Sequence, residues 1–353
     1  MCPKDKTMRK LLLLSLLLLP FGCGTAANSP ADSELWQTVE VDQAAAYPSQ
    51  EPGTQPPVLT GFARLSDEKL REGWICLFDG VSTYGWESEA TLTVKKWDDR
   101  STLLTAEENR EFRAIHWLLN VDFISSTIDL TIESREGNDG WIVMEMPDKP
   151  GSAPGKISVS LREGCTKMDV KPTKMQALGP DAWKPAAEPV TAVWTEDGAL
   201  ELSGGSGMLE SVGEYGDFVL QLEYFTESPV NSGVFFRCIP GEKMNGYECQ
   251  IYNQPPADDY KKFIGTDTGG LFRRQVGRNV GAKDGEWNYL TIAAQDNRFA
   301  TWVNGIQVTD WTDTRAENPN PRQGLRKAAG TLQLQGHDPA TKIKFRNIRI
   351  AVP

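Results

Sequence analysis

From residue 218 onward, apolar and polar side chains alternate in short runs broken by Gly, Asn, Asp and Pro. The runs are FVLQLEYF (218–225), GVFFRCI (233–239), YECQIY (247–252), NYLTIAAQ (288–295), FATWVNGIQVTDW (299–311), GTLQLQG (330–336) and KIKFRNIRIAV (342–352). A two-residue period sends alternate side chains to opposite faces of a sheet, and each run reads as a strand. Asn304-Gly305 divides the fifth run and predicts a tight hairpin with positive φ at both residues. Helical periodicity is nearly absent; helix is expected only over Asp67–Arg71 and within 105–115. Many short strands separated by turn residues imply an all-β sandwich or barrel.

Part of the pattern occurs twice. DFISSTIDLTIESREGNDGWIVMEM (122–146) and DFVLQLEYFTESPVNSGVFFRC (217–238) share Asp-Phe, a strand-like run, Glu-Ser, then an Asn-x-Gly and a second run. Residues 87–186 therefore read as an additional β-rich segment, either an insertion or a degenerate copy of the later unit. Convergence of two similar hairpins is the competing reading.

The N-terminus has a different character. Lys4, Lys6, Arg9 and Lys10 precede an apolar run from Leu11 to Leu19, which is too short to span a bilayer and typical of a secretory signal. Gly22-Cys23 follows, and residues 1–23 are expected to be a lipoprotein-type signal with Cys23 the lipidated residue. Ordinary cleavage near Ala26 or Ala27 is the alternative. The expected location is the bacterial cell envelope or periplasm, with membrane contact only through the anchor. Residues 24–60, rich in Ala, Pro, Ser, Gln and Glu, read as a flexible linker. Without residues 1–22 the chain holds 33 Lys and Arg against 47 Asp and Glu, a formal charge of −14. That balance argues against a nucleic-acid partner, which calls for clustered basic residues.

Four cysteines follow Cys23. Cys238 and Cys249 flank the turn-like PGEKMNG and are expected to face each other across a hairpin as a disulfide, leaving Cys76 and Cys165 as the second pair. Buried free thiols are the alternative. If Cys238 and Cys249 meet in the core, parity brings Asn231, Arg237, Glu248 and Gln250 together on the opposite face. A guanidinium, a carboxylate and two amides suit sugar hydroxyls and a carbonyl. The competing reading is an exposed Arg–Glu pair of small energetic value.

Several motifs occur in one order: Leu77-Phe78-Asp79-Gly80 with Gly85-Trp86, Trp194 through Asp197-Gly198, Asn231-Ser232-Gly233 into Phe235-Phe236-Arg237, and Tyr247-Glu248-x-Gln250-Ile251. Gly285-Glu286-Trp287-Asn288, Val303-Asn304-Gly305, Leu334-Gln335-x-His337 and Phe345-Arg346-Asn347-Ile348 follow. In this order the chain resembles the 3-keto-disaccharide hydrolase domain family over 74–86 and 190–353. The resemblance implies a concanavalin A-like jelly-roll sandwich of two antiparallel sheets, built from 61–86 plus 187–353, with a carbohydrate on its concave face. It also implies action on 3-keto sugars and raises His337, at the family position after Leu-Gln, to a candidate catalytic residue.

The spacing Glu248-x-Gln250-x-x-Asn253 parallels jelly-roll glycosidases that carry acids at all three positions, yet here two are amides. Two-carboxylate hydrolysis then lacks its second acid unless one arrives from elsewhere, for example Glu223. A 3-keto sugar changes the demand, because the ketone acidifies the proton on C2 and one base can start an elimination. Glu248 or His337 is the expected base and Arg237 the enolate stabiliser, with Asn231, Gln250 and Asn253 binding substrate. No cofactor is expected. Glu248, His337 and a nearby acid could together hold a divalent metal, although the sequence carries no dense ligand motif. The alternative function is a non-catalytic carbohydrate-binding surface lipoprotein. Trp287, Trp302 and Trp311 read as packing residues, and IGTDTGGLF (264–272) as one wall of the cleft.

Overall fold

The computed structural model describes residues 37–38, 42–88, 91–98, 101–106, 112–116, 128–134, 141–144, 157–161, 165–186 and 188–352. The signal segment, Cys23 and the side chain of Cys165 lie outside the described residues. Among those described, no helix is long and apolar enough to cross a membrane.

The first strands are β1 (Gln37–Thr38), β2 (Ile75–Cys76), β3 (Trp86–Ser88), β4 (Leu92–Asp98) and β5 (Ser101–Ala106). Next come β6 (Phe112–His116), β7 (Ile128–Ser134), β8 (Trp141–Met144), β9 (Ile157–Leu161) and β10 (Cys165–Pro172). Then follow β11 (Gln176–Ala177), β12 (Trp183–Pro185), β13 (Thr191–Trp194), β14 (Leu200–Ser203), β15 (Gly207–Tyr215) and β16 (Phe218–Thr226). The last are β17 (Ser232–Cys238), β18 (Tyr247–Ile251), β19 (Trp287–Gln295), β20 (Arg298–Val303), β21 (Ile306–Thr312), β22 (Gly330–Gly336) and β23 (Lys342–Ala351). Each alternating run of the sequence is one of these strands, or in the fifth case a hairpin of two. Asn304 and Gly305 turn that hairpin with φ of 50° and 80°.

Residues 176–351 form an antiparallel jelly-roll sandwich. The larger sheet runs β13-β14-β23-β16-β19-β20-β21 with β11 added on β23; the smaller runs β12-β15-β22-β17-β18. Phe218, Leu222, Leu290 and Phe299 from the larger sheet meet Val234, Phe236, Tyr247 and Leu334 from the smaller. Each such side chain, fully buried, contributes about 1.5–3 kcal/mol. Tyr247 and Phe299 are the closest rings in this layer, with centroids 4.5 Å apart.

The earlier strands repeat this plan. One set runs β3-β6-β9-β8, matching β12-β15-β22-β17; in the other β10 pairs with β2, β5 and β7, as β23 pairs with β11, β14 and β16. The register agrees residue by residue. Cys76 opposes Asp169 and Ile75 opposes Val170, as Ala177 opposes Arg349 and Gln176 opposes Ile350. Leu77 N donates to Met168 O and Leu178 N to Ile348 O, at 2.9 and 2.8 Å. Trp86 Nε1 donates to Leu77 O and Trp183 Nε1 to Leu178 O, at 2.7 and 3.2 Å. The two sets of strands thus share one pairing plan, over 75–172 and 176–351; among the described residues of 75–172, no strand corresponds to β18 to β21. The shared Asp-Phe is a poor guide to the alignment. Leu130, opposite Val170, occupies the place of Leu220, opposite Ile350, which is five positions from the Asp-Phe alignment.

Three expectations change. Residues 75–76 and 86–88 pair with strands of the first copy, and 176–185 pair with the sandwich; the boundary falls near 173–175 rather than at 187. Within 105–115 the described residues are strand, in β5 and β6. Residues 42–60 of the expected linker are packed, because α1 (Gln43–Ala46), capped by Asp42, buries Ala45 and Ala46. The helix α2 (Asp67–Glu72) forms as expected, capped by Ser66 and ended by Gly73 at φ 94°.

The first copy backs the larger sheet on the side away from its core. Trp302, of opposite parity to the core-facing Phe299, is fully buried there and donates from Nε1 to Cys76 O at 3.3 Å. His116 Nε2 pairs with Gln307 Oε1 at 2.9 Å, with its ring between Trp86 and Trp302. Burial pushes the His116 imidazole down to about 3 and keeps it neutral, so this histidine is structural. A buried ion pair, Arg278 Nη1 to Asp79 Oδ2 at 2.6 Å, ties the turn at 79–82 to the loop before β19.

Candidate functional site

The outer face of the smaller sheet is polar. Leu209, Val234, Cys249 and Leu334 point into the core, which leaves Met208, Glu210, Gly233, Phe235, Glu248, Gln250, Gln333 and Gln335 on the other side. Two rows cross the strands. One is Glu210–Gln333–Phe235–Glu248, the other Met208–Gln335–Gly233–Gln250. Glu248, Gln250 and Gln335 are buried although they face outward, because loops flank the sheet.

One wall is the segment 264–275, as expected from its glycines. It runs along β18 through Gly269 N to Gln250 O, Gln250 N to Gly270 O and Phe272 N to Glu248 O, at 2.8–3.0 Å. The other wall is the segment 313–329. Tyr247 Oη holds it, donating to Asp313 Oδ2 at 2.8 Å and accepting from Arg326 N at 2.9 Å. This wall delivers Arg322, whose Nη2 donates to Glu248 Oε2 at 3.0 Å while its guanidinium lies over Phe235.

Glu248 sits at the centre of the cleft. Burial pushes its carboxyl above the usual range, and the charge and hydrogen bond of Arg322 pull in the other direction. Gly233 leaves the floor open beside it, and Gln335 Oε1 and Asn231 Oδ1 are buried with no hydrogen bond from the protein. These are acceptors free to take ligand hydroxyls. His337 follows β22, is exposed, and its Nδ1 lies 3.0 Å from Asp338 Oδ2. That bond holds the Asp338 carboxyl below its usual range.

Sequence reasoning placed Asn231, Glu248 and Gln250 on one face; Glu248 and Gln250 share it, and Asn231 immediately precedes β17. Arg237 does not join them. A bulge between Phe235 and Cys238, with Arg237 at φ 49°, shifts strand parity and swings the side chain away from Glu248. Arg237 is buried against Phe299, donating to the carbonyls of Gly216, Asp296 and Arg326 and to Asp217 Oδ1. The hairpin register overturns the disulfide, and the bulge turns Cys238 further away. Cys249 opposes Val234 in the core, whereas Cys238 turns to the outer face beside Phe235, and both are free thiols. Asn253 lies beyond β18, its amide engaged by Tyr224, Thr268 and Asp284. Glu223 faces away from the core on the larger sheet and pairs with Arg346 and Asn347, so it supplies no second acid.

Two groups were missed. Arg322 lies in the loop NPNPRQG, where no periodicity marks its direction. Glu210 alternates with Leu209 and Ser211, a signal present in GMLESV but unread. Burial raises the Glu210 carboxyl, but Gly241 N–H, Thr331, Gln333 and Lys184 outweigh it and hold the group below its usual range. Three strand spacings, about 14 Å, separate Glu210 from Glu248. Hydrolysis by two carboxylates needs them about 5–10 Å apart. Among the described residues, no group of three or more His, Cys, Asp or Glu converges as a metal site.

Residues 177–351 match the family model of the 3-keto-alpha-glucoside-1,2-lyase-like domain. No curated protein matches the chain. Among solved structures, a proposed glycosyl hydrolase of Parabacteroides distasonis is 19% identical, over 51% of this chain and 94% of that one, with a TM-score of 0.42. A second from the same organism is 23% identical, over 51% and 93%, with a TM-score of 0.39. The carbohydrate-binding module CBM66 from Bacillus subtilis is 17% identical, over 47% and 93%, with a TM-score of 0.32. With its ordered motifs and the matched model, the sandwich of residues 177–351 is a 3-keto-alpha-glucoside-1,2-lyase-like domain.

Proposed function

We propose that the cleft cleaves 3-keto-glycosides by elimination across C2 and C1, followed by addition of water. The observation that carries this is the single central carboxylate, with Glu210 three strands away and Glu223 on another sheet. In the proposed step His337 Nε2 takes the C2 proton while Asp338 fixes the ring through Nδ1. The electron pair passes to the ketone oxygen as an enolate, which Arg322 stabilises in the place once expected of Arg237. As the C1–O bond breaks, Glu248, the carboxyl at the centre of the cleft, acts as the acid and gives a proton to the leaving oxygen. Water then adds across the enone at C1 and C2, and the sum is hydrolysis. Asn231, Gln250 and Gln335 orient the sugar hydroxyls.

The test is turnover of a panel of 3-keto-glucosides by wild type, Glu248→Gln and His337→Ala, each with and without chelator. Release of 3-ketoglucose by wild type, with a loss of at least 100-fold in both variants, supports the reading. Chelator sensitivity would add a metal to it. Binding of unoxidised glycans without turnover would replace it with a non-catalytic binding domain. Export and lipid anchoring through Cys23 belong to the same proposal; a clickable palmitate should label the wild-type chain in a bacterial host and leave Cys23→Ser unlabelled.

A further inference from the structure

A second cavity, of about 220 Å³, opens beside the segment 264–275 that also walls the cleft. Pro48, Pro52 and Pro56 line one side and Tyr260, Thr266 and Asp267 the other. The proline-bearing strap lies outside the residues that match the family model. It is fastened in place. Gln50 Oε1 accepts from Val276 N at 2.9 Å, Gly53 N donates to Tyr260 O at 2.8 Å, and Leu59 N donates to Asn279 O at 2.7 Å.

Two buried polar atoms at this cavity have no partner in the protein: Asp267 Oδ2 and Thr266 Oγ1. Asp267 is 6% exposed and Thr266 3%. Tyr260 Oη donates to the other carboxylate oxygen, which fixes the direction of Asp267 and leaves Oδ2 as an oriented acceptor. Buried polar groups are ordinarily satisfied, and the space exceeds by far the roughly 10–15 Å³ that one water occupies.

The lining selects the ligand. It holds no Lys or Arg, which disfavours phosphates and carboxylates, and Asp267 is its one buried carboxylate, too few for a divalent cation. Proline rings and Phe263 supply apolar surface beside the oriented acceptor and the hydroxyl. We propose that this cavity is a second carbohydrate site, taking a neutral glycosyl unit whose hydroxyls bond to Asp267 Oδ2 and Thr266 Oγ1. None of its lining residues belongs to the outer face of the smaller sheet. The choice of a sugar rests on the proposed function, while the geometry does not.

The experiment uses methyl α-glucoside, methyl α-galactoside and methyl α-mannoside as probes, read by saturation-transfer NMR and calorimetry. The proteins are wild type, Thr266→Val, Asp267→Asn and Glu248→Gln, each with its melting temperature checked. Binding that persists in Glu248→Gln and weakens at least tenfold in Thr266→Val and Asp267→Asn supports the site. Thr266→Val keeps the side-chain shape and decides the matter where Asp267→Asn fails to fold. Binding unchanged in Thr266→Val, binding lost only in Glu248→Gln, or no binding of any probe by folded wild type each overturns it. Turnover of 3-keto-glucosides is scored on the same proteins, and retained turnover without second-site binding sinks this inference alone.

Discussion

Glu248 leans over Gly233: a methyl group placed on Gly233 would sit 3.1 Å from Glu248 Oε1 and 3.3 Å from the carbonyl oxygen of Cys249. The empty floor position and the central carboxylate are thus one device. Gly233 has no positive φ, and its smallness serves the cleft and not a turn.

Gly233→Ala should therefore push the carboxylate off its bond to Arg322. We expect turnover of 3-keto-glucosides to fall at least tenfold while stability drops by about 1–3 kcal/mol, the usual cost of overpacking. Wild-type turnover in a folded Gly233→Ala protein would contradict the placement.

Glu248 and Glu210 should report opposite pH dependence. For Glu248 the folded pKa lies above its unfolded value, so its stabilising contribution is complete below 4.5 and is lost as pH rises through the raised value. Glu248→Gln should melt higher than wild type near pH 8 and lose that advantage below pH 4.5. For Glu210 the folded pKa is depressed, so its contribution is present above 4.5 and disappears as pH falls through the lowered value. Glu210→Gln should melt lower than wild type at neutral pH, with the gap closing in acid. Melting curves across pH 3–8 check both signs.

Arg237 should behave as a structural residue. Its guanidinium satisfies three backbone carbonyls and Asp217, and Arg237→Leu strands them. The expected loss is about 3–5 kcal/mol of stability. Turnover per folded molecule should stay within about threefold, read by active-site titration below the melting temperature. Arg322→Met should do the reverse, with a melting temperature close to wild type and turnover reduced at least 100-fold.

Cys238 and Cys249 should remain thiols even in an oxidising buffer. Burial pushes both well above their usual range, so native alkylation at pH 8 should be slow. Denaturation without reductant should then label both in peptide maps. A peptide linking them would contradict the register of β17 on β18.

Alternation was enough to find the strands from 218 onward, because each has one face in the core and the other turned outward. It was also enough to put Glu248 and Gln250 opposite Tyr247, Cys249 and Ile251. Parity counting failed at one residue. Arg237 carries a positive φ that nothing in its side chain announces, and the parity of Cys238 inherited the error; the disulfide failed separately, on a register that sets Val234 opposite Cys249. Arg322 was illegible for a different reason: a loop residue's direction comes from what pins the loop, here Tyr247 and Asp313. The repeat was visible as composition but misaligned by five positions, since short apolar strands look alike when slid along one another. Trp86 over Leu77 and Trp183 over Leu178 give the true alignment, and they depend on contacts that the linear pattern does not contain.

The two copies of the strand plan face different constraints. A substitution in 176–351 must satisfy both packing and the proposed site, whereas the described strands of 75–172 back the larger sheet. Sequence drift should therefore accumulate first in 75–172. Residues such as Trp86 and His116, which grip Trp302 and Gln307, should change least there, because through them one set of strands holds the other in shape.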